Sequence, residues 1–179
     1  MKKCKVCKQK FEAKYSTLQA TCAEPSCMIA YSQQQKAKQV KRDIAKRKEK
    51  LKTLADYKRE LRAVLHKYVR LRDIKRGCIS CGRELIGKYD AGHFLSAGAF
   101  PNLAFNPLNI HGQCVRCNQH LHGNLIAYSE RLPHRIGQHN YELLLSLRNS
   151  RTSMTIDEAK ALILKYKSLI LKLTQQNND

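Results

Sequence analysis

The chain has 179 residues, with 34 Lys and Arg against 14 Asp and Glu, so its formal charge is +20. This length fits one modest domain with an appendage or two small domains, and the charge indicates a polyanionic partner, most simply nucleic acid. No segment approaches the roughly 18 apolar residues that span a membrane and no signal-peptide segment follows Met1, so we expect no membrane partner and a cytoplasmic protein whose eight cysteines bind metal.

Four cysteines lie in residues 1–32, as a Cys-x2-Cys pair and a wider Cys-x4-Cys pair that encloses Pro25. Two thiolates on a tight turn supply half of a tetrahedral zinc site, so the two pairs predict one Zn²⁺ in a zinc-ribbon-like module. A segment this short buries too little apolar surface to fold alone, and a metal would order it. The alternative is a flexible N-terminus with incidental thiols. The predicted ligands are Cys4, Cys7, Cys22 and Cys27.

Residues 33–53 form a strongly basic linker that contains neither Gly nor Pro. Its residues favour helix but are polar on all sides, which is typical of either an exposed helical spacer or a disordered arm. A charge run is usually only a solvated face, but the one-sided sign of this one favours contact with DNA phosphates. The predicted DNA contacts are Lys36, Lys38, Lys41, Arg42, Lys46, Arg47 and Lys48.

An amphipathic helix is predicted over residues 54–75, where apolar side chains recur at steps of three and four. Gly77 is placed to end this helix. Its apolar face is suited to core packing, and its basic face can follow a DNA backbone. The basic face comprises Lys58, Arg59, Arg62, Lys67, Arg70 and Arg72.

The centre of the chain, residues 78–124, holds two well-separated Cys-x2-Cys pairs. This spacing predicts one structural Zn²⁺ bound by four thiolates. The alternatives are two pairs of buried free cysteines, or two disulfides. Short strands are predicted over 89–95 and 109–113, and a helix is predicted to start at 118–122. The predicted zinc ligands are Cys78, Cys81, Cys114 and Cys117.

The C-terminal part is predicted to be helical. Residues 126–149 are predicted to form helix beyond Pro133, and a capping box at Thr155 and Glu158 opens a last helix with one apolar stripe. The stripe offers an interface for a homodimer, although it would pack equally well within one chain. The tail, 175–179, is predicted to be disordered. The whole pattern predicts a mostly helical α+β fold with three parts: module 1–32, linker 33–53, and domain 54–179 around the small zinc-knuckle core.

Three polar residues of the core resemble the motif of HNH, or ββα-metal, nucleases. His93 in Asp-Ala-Gly-His-Phe matches the strand histidine of that motif, Asn109 in Leu-Asn-Ile matches its loop asparagine, and Asn118 follows the last cysteine. The longer pattern, with Leu-Ala-Phe-Asn and Gln-Cys-Val-Arg-Cys-Asn-Gln-His, is similar to the NinG (Rap) recombination proteins of lambda-like phages. The resemblance implies a ββα-metal core, braced by zinc, in a phage- or prophage-encoded endonuclease of the bacterial host cell. Its substrates would be branched recombination intermediates such as Holliday junctions and D-loops.

The same resemblance implies roles for these residues. His93 would be the general base, Asn109 an orienting residue, and Asn118 a ligand of a catalytic Mg²⁺ or Mn²⁺. Many HNH proteins place an acidic residue directly before the strand histidine, where this chain has Gly92. Asp90 lies on the same strand face as Gly92 because side chains alternate, and it is the candidate ligand instead.

Further histidines, and other functions, stay open at this point. His122 would face the same side as Asn118, one turn further along the predicted helix, and is a further candidate ligand. One alternative function is a non-catalytic zinc protein that binds nucleic acid, with structural histidines. Another is an HNH enzyme that nicks linear duplex DNA. A pure binding module has no need of His93 and Asn118 at these positions, which favours a nuclease.

Overall fold

The computed structural model describes residues 1–150 and 153–176 of a mostly helical α+β protein. It divides the chain into two compact units, Met1–Lys52 and Thr53–Asp179. Among the described residues, no helix is both long enough and apolar enough to cross a membrane.

The first unit combines a short hairpin with one long helix. Strands β1 (Lys2–Lys3) and β2 (Lys10–Phe11) pair in antiparallel fashion, and helix α1 spans Pro25–Lys50. Proline at the first helical position suits the start of α1, since no backbone N–H is needed there. Cys27 is the one buried residue of α1, so the predicted linker is an exposed helix as far as Lys50 rather than a disordered arm.

Two amphipathic helices pack together in the core of the second unit. Helices α2 (Leu54–Asp73) and α5 (Ile156–Gln176) both begin with capping boxes, Thr53 with Asp56 and the predicted Thr155 with Glu158. Their apolar faces pack together with one face of a hairpin. The buried residues of this core are Tyr57, Leu61, Leu65, Val69, Ala91, Ile110, Ala159, Ile163 and Tyr166.

The apolar stripe of α5 therefore packs within the chain. Ala159, Ile163 and Tyr166 are buried against α2, so they are not free to form the homodimer interface that the sequence offered. Helix α5 also continues through residues 175 and 176, which corrects the predicted disordered tail at those two positions. Residues 177–179 of that tail lie outside the described part of the chain.

A two-stranded antiparallel hairpin forms the centre of the second unit. Strand β3 (Tyr89–His93) pairs with β4 (Ile110–Cys114), and the register sets His93 opposite Ile110 and Asp90 opposite Gln113. Ala91 and Ile110 face the core formed with α2 and α5. The two strands thus lie close to the predicted positions: β3 starts at the predicted residue and ends two residues early, and β4 is shifted by one residue at each end.

The segments after the hairpin differ from the prediction. Arg116–His120 is a single π-helical turn, and an α-helix starts only with α3 (Leu125–Ile136). Pro133 lies inside α3 instead of ahead of the helix, and Gly137, with φ +83°, separates α3 from α4 (Gln138–Ser146). The second core is formed by Ile79, Leu103, Tyr128, Leu132 and Leu144.

Candidate zinc centres and catalytic hairpin

The first cysteine pairs of the two units have the same backbone conformation. The N–H of Cys4 donates to the carbonyl of Gln9, and the N–H of Lys8 donates back to the carbonyl of Cys4. In the same way, the N–H of Cys78 donates to the carbonyl of Arg83, and the N–H of Gly82 donates to the carbonyl of Cys78. The residue after each pair is left-handed, with φ +64° at Lys8 and +76° at Gly82. Glycine avoids strain there, whereas lysine does not.

Each unit gathers its four thiols at a spacing that fits zinc. In both groups the sulfur atoms lie within 4.8 Å of one another. The Sγ atoms of Cys7 and Cys22 are 3.9 Å apart, and those of Cys81 and Cys114 are 3.8 Å apart. A tetrahedron with Zn–S bonds of about 2.3 Å has edges of about 3.8 Å. All eight cysteines are free thiols, so the disulfide alternative is wrong and both groups could hold zinc.

Neighbouring polar groups support the cysteines of the second unit. The backbone N–H of Cys114 donates to Cys78 Sγ at 3.4 Å, and the side-chain amide of Asn124 donates to Cys117 Sγ at 3.6 Å. Donors of this kind stabilise thiolates and hold them in place around a metal. In the described part of the chain, the buried residues of the cluster around these thiols are Cys78, Cys117 and Leu85, so little apolar contact holds it together.

A buried ion pair fastens helix α2 to strand β4. The guanidinium of Arg72 donates to both carboxylate oxygens of Asp73 at 2.7 Å and to the carbonyl of Ile110 at 2.8 Å. Asp73 also accepts the N–H of Gly112 at 2.8 Å. Burial alone would raise the pKa of Asp73, but the hydrogen bonds and charge of Arg72 hold that pKa well below its usual range. Arg72 therefore belongs to the core, which corrects its predicted place on the basic face.

His93 is held by the loop that follows β3. Its ring Nε2 lies 3.1 Å from the carbonyl oxygen of Ala104. Because a carbonyl only accepts, Nε2 carries the proton of the neutral ring and Nδ1 is left as an acceptor. Burial lowers the pKa of His93, opposed by the Ala104 hydrogen bond, so the ring is neutral near neutral pH.

Asn109 ties this loop together. It is fully buried, and its amide group donates to the carbonyls of Leu95 and Leu103 while its Oδ1 accepts the N–H of Leu95 at 2.8 Å. Leu103 is the direct neighbour of Ala104, so these bonds position the carbonyl that holds His93. Such a fully bonded amide suits the orienting role predicted for Asn109.

Asp90 of β3 meets Asn118 of the π-helical turn that follows β4. The side-chain amide of Asn118 donates to Asp90 Oδ2 at 2.9 Å, and Gln119 donates to the same oxygen at 2.8 Å. This leaves Asn118 Oδ1 and Asp90 Oδ1 as oxygens for a hard cation. Among the described residues, the groups of three or more His, Cys, Asp or Glu gathered closely enough for a metal are the two cysteine sets. A cation here would therefore need further ligands from outside these two side chains.

Close packing explains the glycine before His93. A Cβ built at Gly92 would lie 2.1 Å from Gln113 Oε1 and 3.0 Å from Asn118 Oδ1. Gln113 is itself fixed, because its amide group donates to Ser80 Oγ and to the carbonyl of Gly123. No side chain fits at position 92 in this arrangement, so Asp90 is the nearest acid on that face of the strand.

The predicted position of His122 is wrong. The π-helical turn ends at His120, and His122 has a left-handed φ of +48° in the turn that follows. It is exposed and does not extend a helix from Asn118, so the spacing argument for a metal ligand no longer applies. His111 is buried beside the ion pair, with Nδ1 3.0 Å from Arg72 Nη2, where it supports the hairpin.

Helix α2 brings a second histidine, His66, to the site, and the sequence motifs did not indicate it. The ring of His66 meets that of His93 edge to face, with 5.7 Å between centroids. Burial, followed by the charges of His93, Arg70 and Arg62, lowers the pKa of His66 to about 4. The sequence feature that could have indicated His66 is its position midway between Arg62 and Arg70, four residues from each.

Two groups of four thiols that could hold zinc, a mostly helical α+β fold and a strongly basic composition define a small protein of two units with candidate metal sites. The chain belongs to the NinG family of phage proteins. It matches the sequence model of the family described as Bacteriophage Lambda NinG protein over residues 1–176, which confirms the family that the motifs indicated.

Individual relatives agree with this assignment. The chain is 32% identical to Protein ninG of Escherichia phage 933W, in an alignment that covers 99% of this chain and 96% of that protein. It is 38% identical to Protein ninG of Escherichia phage lambda over 74% of this chain and 65% of that protein, and 35% identical to Protein ninG of Salmonella phage P22 over the same shares. No solved structure matches the chain.

Proposed function

We propose that this protein is a metal-dependent endonuclease that cuts branched DNA recombination intermediates, such as Holliday junctions and D-loops. The observation that carries the proposal is the orientation of His93. Its Nε2 is occupied by the Ala104 carbonyl, so Nδ1 of a neutral ring can accept a proton from water, which is the role of a general base.

Asp90 and Asn118 complete the proposed site. Their oxygens suit Mg²⁺ or Mn²⁺ rather than a third zinc, and that ion, when bound, supplies Lewis-acid stabilisation of the scissile phosphate and the leaving oxygen. By strand alternation the side chains of Asp90 and His93 leave opposite faces of β3. The phosphate would then lie along the strand, between the base at His93 and the cation at Asp90.

The test compares a four-way junction with a linear duplex of the same sequence, each incubated with the protein and Mg²⁺. We expect cleavage of the junction and not of the duplex. EDTA should abolish cleavage of the junction. The zinc bound by the thiols is measured separately, by elemental analysis. Cleavage of both substrates would favour the enzyme that nicks linear DNA. Binding of the junction without cleavage in Mg²⁺ or Mn²⁺ would favour the non-catalytic zinc protein.

Helix α1 supplies a further measurable property of DNA binding. Replacing Lys38, Lys41, Arg42 and Lys46 with glutamine keeps good helix formers on an exposed helix but removes four positive charges. Each lost phosphate contact lowers the slope of log affinity against log salt by about 0.9. We therefore expect weaker binding and a flatter slope, measured by titration of a junction at several salt concentrations.

The matching control is the helix content and zinc content of the same variant, which should equal those of the natural protein. An unchanged salt slope would contradict the prediction, because it would mean that the α1 cations are only a solvated face.

A further inference from the structure

We propose that helix α2 carries a row of three phosphate-binding residues, Arg62, His66 and Arg70, which holds the DNA strand to be cut beside His93. This inference rests on the proposed nuclease function and adds the surface by which the substrate strand is positioned. We call these three residues the α2 row.

The spacing of the α2 row places its members on one face of the helix. Arg62, His66 and Arg70 follow one another at four-residue steps, so each lies about 6 Å further along the axis on the same side. Arg62 is exposed and Arg70 is half-buried. The row is thus a line of donors that a flexible, negatively charged strand can follow.

Contacts with the hairpin show that this face of α2 adjoins the proposed site. The His66 ring packs against the His93 ring, and the hydroxyl of Tyr89 in β3 donates to the carbonyl of Arg70 at 2.8 Å. Arg62 is close enough for its charge to act on both histidines. The row therefore runs along β3, with His66 beside His93 and Arg70 beside Tyr89.

The end of the row at Arg70 opens onto a basic cavity of about 550 Å³. Its wall includes Lys67, Arg70 and Lys88 beside the single carboxylate of Asp90. Three cationic side chains around one carboxylate leave an excess of positive charge, which a bound anion would balance. A phosphodiester backbone is such an anion.

His66 has a polar atom without a partner at the centre of the row. Its Nε2 is buried and makes no hydrogen bond within the described chain. Burying a polar atom without a hydrogen-bond partner is unfavourable, so a ligand that supplies a partner for this nitrogen gains from it. A phosphate oxygen entering between Arg62 and Arg70 would accept a hydrogen bond from this ring.

Neighbouring arginines of α2 differ from the α2 row because they already have protein partners. Arg59 forms an ion pair with Asp56 at 2.8 Å, and Arg72 lies in the buried pair with Asp73. Their charges are compensated within the chain, so the substrate is left to Arg62 and Arg70.

The first test measures junction binding in EDTA, where the strand is not cut. We expect the double variant Arg62→Ala/Arg70→Ala to bind more weakly, with a salt slope smaller in magnitude by about 2, one for each lost phosphate contact. The control is Lys165→Ala/Lys172→Ala, which removes two exposed charges from α5 and should leave the slope unchanged. An unchanged slope in the arginine variant, with its fold intact by circular dichroism, would overturn the α2 row.

The second test separates the hydrogen bond of His66 from its packing. His66→Phe keeps a flat ring against His93 and removes the unpartnered nitrogen, so the fold should be at least as stable as in the natural protein. We expect kcat/KM for junction cleavage to fall about tenfold or more, and His66→Gln, which restores an N–H donor, to recover part of it. Cleavage by His66→Phe at the natural rate would overturn the role of His66.

These outcomes are distinguishable from failure of the nuclease proposal. If the natural protein cuts no DNA, that proposal fails, and the role of His66 in cleavage fails with it. The binding of phosphate by Arg62 and Arg70 is still decided by the salt slopes in EDTA.

Discussion

Replacing His93 with alanine is expected to reduce cleavage of branched DNA by about 10²-fold or more, the usual effect of losing a positioned acid–base group. The variant removes the Nδ1 acceptor but no thiol ligand. Its fold should survive, because His93 pairs with Ile110 through the backbone and its side chain is only half-buried. The measurement is single-turnover cleavage of a junction in Mg²⁺.

Two comparisons make this expectation specific. His139→Ala removes an exposed histidine from α4 and should cleave at the natural rate. Zinc content and junction binding in EDTA should be the same for both variants and the natural protein. If His93→Ala cuts the junction as fast as the natural protein, His93 is not the base and the HNH-like assignment of this hairpin is wrong.

Periodicity and cysteine spacing predicted the parts of the fold that depend on local pattern. The stripe of α2 was visible because Tyr57, Leu61 and Leu65 recur at helical steps and are buried as that pattern requires. Both cysteine groups were visible because a chelating pair must occupy one tight turn. The capping box at Thr155 was visible for the same reason, since its partner is three residues away.

The errors arose where tertiary contacts or unusual backbone decide the outcome. Arg72 has the spacing of a surface residue, but the carboxylate of Asp73 and the Ile110 carbonyl draw it into the core. His122 was placed by assuming α-helical steps, whereas a π-helical turn and a left-handed residue interrupt them. His66 was overlooked because its meeting with His93 depends on how α2 packs on the hairpin, which no spacing within α2 reveals.

The cysteine centres allow a prediction with a large effect on stability, because each unit can be changed separately. We expect two zinc ions per chain in protein purified without chelator. Cys117→Ser should lower this to one and unfold the knuckles of residues 78–124, since serine cannot supply a thiolate. Structural zinc contributes about 10–16 kcal/mol of apparent binding free energy in zinc-finger peptides. The cluster around Cys117 includes few apolar side chains whose packing could compensate for the lost zinc.

Cys27→Ser is the matched variant in the other unit. Cys27 is also buried and belongs to the N-terminal thiol group, so its loss should also remove one zinc. The unit Thr53–Asp179 has its own cores and its own thiol group, and its thermal unfolding should therefore remain at the natural temperature in Cys27→Ser but not in Cys117→Ser. Elemental analysis and calorimetry of the three proteins measure both effects. Absence of zinc from the natural protein, or two ions retained by Cys117→Ser, would show that these thiols do not form zinc centres. The hairpin that carries His93 would then be held in position by the Asp73–Arg72 pair and the α2 core alone.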